Sequence, residues 1–429
     1  MNPLVIAAGW LVLGLVASAV LRRRTARLVA IVPLVGAGLT FLAARSSTAA
    51  VPLGGLSAIT GLDRAGQGVL IAAALSMVLV ILLQPSIDPA LGRSIGVVGA
   101  AATVAMSSSN PLVTGLVLSA AVATLVLRWI AQSPGRVTLA AGRVAGAGTA
   151  AIVAASPLLP LTGFTTGDRP VVVAALLATG VAALLAVYPL GGWAAGVIRT
   201  LRPIEIAPWM ILLVPVVLII AERIPGGVLG TGTPVFEHVL LVVGLGSAVW
   251  GGIWAVRGPD AMRYGRVFMA DIALCVAAVE GASVSPAITG ALVILVTHLA
   301  LAPILLRSRD SGLVWPRRVA WALLSGVPPS PAFWGRLLLL EALAAGNVGS
   351  TIAAVIAIGA IFIAAVLACA PRPRPVRTPA LPERRARPRP VKMPALPERL
   401  SNLAAWLLVA LGIAIGLAPQ SLAGFVFGH

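Results

Sequence analysis

A chain of 429 residues that is 59% hydrophobic and only 10% charged, with a mean hydropathy of +1.03, is not an ordinary soluble globule. Its formal charge of +18 would point to nucleic acid in a soluble protein, but in a membrane protein basic residues mark cytoplasmic loops and meet anionic lipid. Lipid forces each crossing segment to satisfy its backbone within a helix, so the composition predicts an all-α polytopic membrane protein.

Crossing about 30 Å of hydrocarbon takes about 20 apolar residues, and runs of that length predict about fourteen transmembrane helices. The first seven cover Pro3 to Leu21, Ala26 to Ala44, Gly66 to Leu83, Gly92 to Ser108, Pro111 to Ile130, Val144 to Leu161 and Pro170 to Leu190. The next seven cover Ile204 to Ala221, Phe236 to Val256, Val267 to Ala282, Pro286 to Leu306, Val319 to Leu343, Val348 to Ala370 and Leu403 to Phe427. The expected organisation is a membrane domain over 1–370, a basic Pro-rich linker over 371–400 and a C-terminal transmembrane helix in 401–429. Nothing before Arg22 resembles a positive n-region or a cleavage site, so the first segment reads as a retained helix.

With the N-terminus outside, 26 of the 31 basic residues fall in inside loops, which supports that orientation. The linker repeats itself: Arg372 to Arg384 reads RPRPVRTPALPER and Arg387 to Arg399 reads RPRPVKMPALPER. Its prolines favour a stiff extended form. Arg372, Arg374, Arg387 and Arg389 are candidates for contact with anionic lipid or a partner, against the plainer reading of a spacer that obeys the charge rule.

Two helices carry interruptions. Gly180 and Tyr188 to Trp193 break or end the seventh, and Ser325 to Pro331 breaks the twelfth. Unwound backbone is tolerated in a membrane only beside a polar cavity or buried in protein. The five-span offset fits two inverted five-helix repeats, spans four to eight and nine to thirteen, while ordinary proline kinks are the competing reading.

These segments resemble the antiporter-like membrane subunits of complex I (proton-translocating NADH:quinone oxidoreductase), a family related to Mrp cation/proton antiporters and to membrane subunits of hydrogenase complexes. The family's Pro-x-His-x-Trp turn is similar to Pro189-Leu190-Gly191-Gly192-Trp193, with Gly191 at the His position. Its Asp-x-Lys-Arg segment resembles Asp260-Ala261-Met262-Arg263, with Met262 for the Lys. Its Gly-x-Pro-Pro segment resembles Gly326 to Arg336 and is the most specific match. The similarity of hydropathy and span order covers roughly residues 60 to 370.

The resemblance implies a polar path of titratable groups through the membrane, and several of its positions are empty here. The fifth-helix Glu falls on Ser119, the seventh-helix Lys on Leu184, the eighth-helix Lys on Val216 and the eleventh-helix Lys on Ala302. His298 keeps the histidine of that eleventh-helix pattern, and Arg336 stands at the twelfth-helix Lys, retaining charge but not an exchangeable proton. The proton-path candidates are Arg336, Glu341, His298 and Asp271, since intramembrane ionisable groups are costly and therefore functional by default. The plain alternatives are a snorkelling Arg336 beside an interfacial Trp334 and a His298 bonded to a neighbouring helix. Glu280 lies about half a turn out of phase with Asp271, and Glu237 opens the ninth span.

No phosphate loop, dinucleotide fingerprint, metal cluster or hydrolytic set is present, and Cys275 and Cys369 sit in apolar runs without metal-ligand spacing. No cofactor and no catalytic site is expected in this chain. The resemblance places quinone, flavin and iron–sulfur clusters in partner subunits of a respiratory complex, and the protein in a bacterial-type cytoplasmic (inner) membrane. Three functions stay open: a subunit associated with proton translocation, a non-conducting structural subunit of a respiratory or hydrogenase complex, and a free-standing secondary transporter.

Overall fold

The computed structural model describes residues 3–20, 26–43, 48–53, 56–61, 64–84, 88–108, 111–158, 169–224, 229–281, 285–307, 314–369 and 398–417. The linker arginines Arg372, Arg374, Arg387 and Arg389 lie outside them.

Apolar sequence becomes helix almost throughout. In chain order these are α1 (Pro3–Val20), α2 (Ala26–Ala43), α3 (Arg64–Leu83), α4 (Pro89–Ser107), α5 (Pro111–Gln132), α6 (Arg136–Ala155) and α7 (Arg169–Leu184). There follow α8 (Gly192–Thr200), α9 (Pro203–Arg223), α10 (Thr233–Arg257), α11 (Asp260–Ala277) and α12 (Ser285–Leu305). The last four are α13 (Val314–Ser325), α14 (Pro331–Ala344), α15 (Val348–Cys369) and α16 (Glu398–Leu417). Among the described residues, eight helices are long and apolar enough to cross a membrane, namely α3, α4, α5, α6, α9, α10, α12 and α15. This is a multi-pass membrane protein.

The expectation of an all-α chain needs one addition. Between α2 and α3, β1 (Thr48–Leu53) pairs antiparallel with β2 (Leu56–Gly61), Leu53 opposite Leu56. Pro52 denies this stretch a helical hydrogen bond, while Val51, Ile59 and Thr60 favour strand. One helix start also moves, the sixth beginning at Arg136 rather than Val144, while the run Val319 to Leu343 is interrupted between Ser325 and Pro331, where its break was expected, to give α13 and α14.

Burial orders the bundle. In the apolar window of α9, 94% is buried, and 83% in that of α12, against 28% in α15. The two central helices therefore carry side chains into a continuous core, whereas α15 turns Val355, Ile356 and Phe362 outward as a lipid-facing helix does. Small residues set one close crossing. A Cβ on Gly290 of α12 would come 2.9 Å from the Gly335 carbonyl oxygen of α14, so these backbones meet only as glycines. Gly290, Ile294 and His298 recur every four residues on that face, and Arg336 follows Gly335. The crossing thus carries Arg336 toward the His298 side of α12.

Candidate functional site

The second helix break builds the charged part of the site. Helix α13 ends at Ser325, Gly326 takes a left-handed φ of 87°, the Pro328–Pro329 peptide is cis, and α14 restarts behind the Ser330 cap, whose side chain accepts from Phe333 N–H. An ended helix leaves its last carbonyls without intrahelical partners, which is costly inside a membrane. Arg336 reaches back to them: Nη1 donates to Ser325 O and Nη2 to Leu324 O, both at 2.9 Å.

The other edge of the same guanidinium meets Asp271 of α11. Nε donates to Oδ1 at 2.9 Å and Nη2 to Oδ2 at 2.8 Å, a two-point contact between groups 2% and 0% exposed. His298 Nε2 lies 2.9 Å from Asp271 Oδ2. A carboxylate paired with arginine only accepts, so this imidazole nitrogen carries the hydrogen. The other ring nitrogen, Nδ1, is buried with no hydrogen-bond partner among the described residues. Phe268 meets the imidazole edge-on at 5.1 Å, and Tyr264 packs at 5.9 Å with its hydroxyl 3.4 Å from the His298 carbonyl oxygen. Tyr264, Phe268 and Asp271 share one face of α11 by their spacing of four and three.

Three sequence candidates are therefore one cluster: Arg336, Asp271 and His298. Arg336 does not snorkel to a surface. Glu341 does not join; it lies exposed on α14, about 140° around the helix from Arg336. Ala302, one turn beyond His298, is buried in apolar packing. Glu237 is half-buried at the start of α10, and the side chain of Glu280 lies outside the described residues.

The first break has the same backbone form with different chemistry. Helix α7 ends at Leu184, Ala186 takes a φ of 56°, the Tyr188–Pro189 peptide is cis, and α8 starts at Gly192. Here neutral indoles satisfy the terminal carbonyls. Trp193 Nε1 donates to Ala183 O at 3.3 Å and Trp209 Nε1 to Leu184 O at 3.2 Å. Trp209 opens a π-helical stretch, Trp209–Leu213, within α9, where Val214 N–H bonds back to Trp209 O between Pro208 and Pro215. Rings of Trp129, Trp193 and Trp209 follow one another at 5.8 and 5.3 Å.

These tryptophans, with Leu125, Leu184 and Leu213, line an apolar void of only about 10 Å³. Leu184 and Val216 are fully packed in the core, and Ser119 turns its hydroxyl back to Gly115 O at 2.7 Å. At Gly191, a Cβ would overlap the Ala186 carbonyl oxygen, so no imidazole fits where the resembling turn carries one. The first-half positions are closed by packing, in addition to lacking charge.

Sequence reasoning missed a second buried ion pair. Arg128 of α5 donates Nε to Glu205 Oε2 and Nη2 to Glu205 Oε1, each at 2.8 Å, and Nη1 to Asp88 Oδ2 at 3.1 Å. Arg202 adds a 2.9 Å contact to Glu205, and Trp129 Nε1 donates to its carbonyl oxygen at 3.0 Å. Glu205 is 1% exposed and Arg128 8%. Both lie at span ends, where charge is ordinary, and Pro203 with Glu205 reads simply as a helix start.

No protein-family model and no curated protein matches the sequence. Solved structures do match in fold. A chain of the Mrp complex from Dietzia sp. DQ12-45-1b superposes with a TM-score of 0.80 at 15% identity, covering 99% of this chain. The present chain spans about half the length of that one, 51%. A chain of respiratory complex I from Thermus thermophilus gives 0.76 at 17% identity, covering 97% of each chain. A chain of the membrane-bound sulfane sulfur reductase, an archaeal respiratory membrane complex, gives 0.81 at 12%, covering 99% of this chain and 95% of that one. The chain has the antiporter-like fold of the complex I and Mrp assemblies, the one its motifs resemble.

Proposed function

We infer that a chain with this fold, closed at its first helix break, is a membrane subunit of a multi-subunit complex of the complex I kind that does not complete an ion path of its own. The observation that carries this reading is the apolar seal at the first break. Indole N–H groups of Trp193 and Trp209 reach the Ala183 and Leu184 carbonyls, and Ala186 N–H also donates to Ala183 O. Proton transfer needs titratable or hydrated groups in sequence, and the Leu184 and Val216 positions offer neither.

The chain crosses the membrane about fourteen times when α7 with α8 and α13 with α14 each count as one interrupted pass. Inverted repeats are supported by the left-handed residues at corresponding breaks, Ala186 and Gly326, and by capping of the last two carbonyls at each. The arginine-rich loops belong inside and the N-terminus outside an inner-type membrane. Quinone, flavin and iron–sulfur chemistry belongs to partner subunits.

A second reading, a contribution to proton translocation within an assembled complex, is favoured by the Asp271–His298–Arg336 cluster alone. Arg336 is poorly suited to release a proton, so His298 would be the exchanging group. The test is purification from native membranes in mild detergent, followed by native gel separation and mass spectrometry. Co-migration with flavin or iron–sulfur subunits is expected. A chain that runs alone or only with itself contradicts the subunit reading and favours a free-standing transporter.

A further inference from the structure

A cleft of about 120 Å³ opens beside the first break, with Tyr188, Ser247, Trp250, Trp254, Arg266 and Met269 in its lining. Tyr188 and Trp250 form its outer lip; their rings are 6.1 Å apart, and the residues are 52% and 56% exposed. Its inner wall is cationic. Arg266 is 7% exposed, lies 4.0 Å over the Trp254 ring and donates Nη1 to Trp254 O at 2.7 Å. Its Nη2 donates to the Met262 sulfur at 3.6 Å, and Arg266 makes no ion pair among the described residues. Arg263 and Arg199 add like charge within electrostatic reach.

The cleft lies on the arginine-rich side of the bundle. Arg199 is in the last turn of α8, Arg257 ends α10, and Arg266 is six residues into α11, about 9 Å from that end. An amphiphile entering from this leaflet would lay an alkyl chain on Tyr188 and Trp250 while its headgroup met the guanidinium.

We propose that this cleft binds an anionic phospholipid, its phosphate paired with Arg266 and one acyl chain against the Tyr188–Trp250 lip. A zwitterionic lipid offers the same phosphate, but its added cation meets the field of Arg199 and Arg263. Selectivity for an anionic headgroup follows. Gly192 provides a way to fill the cleft, because a Cβ there meets nothing within 4 Å.

The experiment is native mass spectrometry of the full chain in detergent with added phosphatidylglycerol or phosphatidylcholine, with gel filtration and thermal unfolding of each variant. The wild type is expected to retain one phosphatidylglycerol about tenfold more tightly than phosphatidylcholine. Gly192→Leu should lose both lipids, Arg266→Gln should keep binding without preference, and Arg266→Lys should keep the preference. Because Arg266 also caps α10, Gly192→Leu and Arg266→Lys decide the matter if Arg266→Gln does not fold. Equal retention of both lipids by the wild type, or undiminished phosphatidylglycerol on folded Gly192→Leu, overturns the site.

Discussion

The Arg336 guanidinium holds both carboxylate oxygens of Asp271, at 2.9 and 2.8 Å, while its outer hydrogens cap the two carbonyls freed where α13 ends. One side chain thus neutralises a buried acid and closes a broken helix. Arginine, unlike lysine, presents a planar fork of donors, and that fork fits both tasks.

Removing that fork leaves a buried charge unpaired. Arg336→Leu should cost about 3–5 kcal/mol, read as a shift in denaturant unfolding in detergent–lipid mixtures. The double variant Arg336→Leu with Asp271→Leu should recover part of the loss, leaving mainly the uncapped carbonyls. Equal losses in the single and double variants would deny the pairing its role.

At the first break, the indole hydrogens matter separately from the rings. Trp209→Phe retains most of the packing but strands the Leu184 carbonyl, a loss of about 1–3 kcal/mol. Trp209→Ala adds a cavity and should cost about 3–5 kcal/mol. Thermal unfolding distinguishes them; indifference to Trp209→Phe would show that the carbonyl finds another donor.

Adjacent glycines make a sharp contrast. Gly191→Ala places a Cβ on the Ala186 carbonyl oxygen and should abolish accumulation of the folded chain, whereas Gly192→Ala meets open space. The latter should stay within about 0.5 kcal/mol of wild type. Fluorescence-detected gel filtration of the two variants checks this, and a well-folded Gly191→Ala would mean that the turn can relax.

The ion pair at the arginine-rich end should behave as a structural clamp. Glu205→Ala leaves Arg128 buried with only Asp88 opposite, a loss of about 3–5 kcal/mol. Asp88 is half-exposed, so Asp88→Ala should cost less than about 1 kcal/mol. Unfolding midpoints that rank the two in reverse would place the clamp at Asp88 instead.

How far sequence reveals such a site depends on where the charge sits. Asp271, His298 and Arg336 stand inside long apolar runs, where insertion cost marks them without a structure. Arg128 and Glu205 are just as buried but lie at helix ends that look solvated in sequence. Glu341 shows the opposite case: a charge inside an apolar run that α14 turns outward. The tryptophans were readable as membrane residues, but their role as carbonyl caps depends on a break in α7 that brings Ala183 and Leu184 next to Trp193 and Trp209. The hairpin after α2 escaped because hydropathy alone does not separate a short apolar strand from a loop.

The closed first half is tested most directly by reconstituting the purified chain in liposomes and following internal pH after a potassium diffusion potential is imposed. Proton entry should equal that of protein-free liposomes. Entry raised well above that background, and scaling with the amount of chain, would contradict a path sealed at Leu184, Trp193 and Trp209.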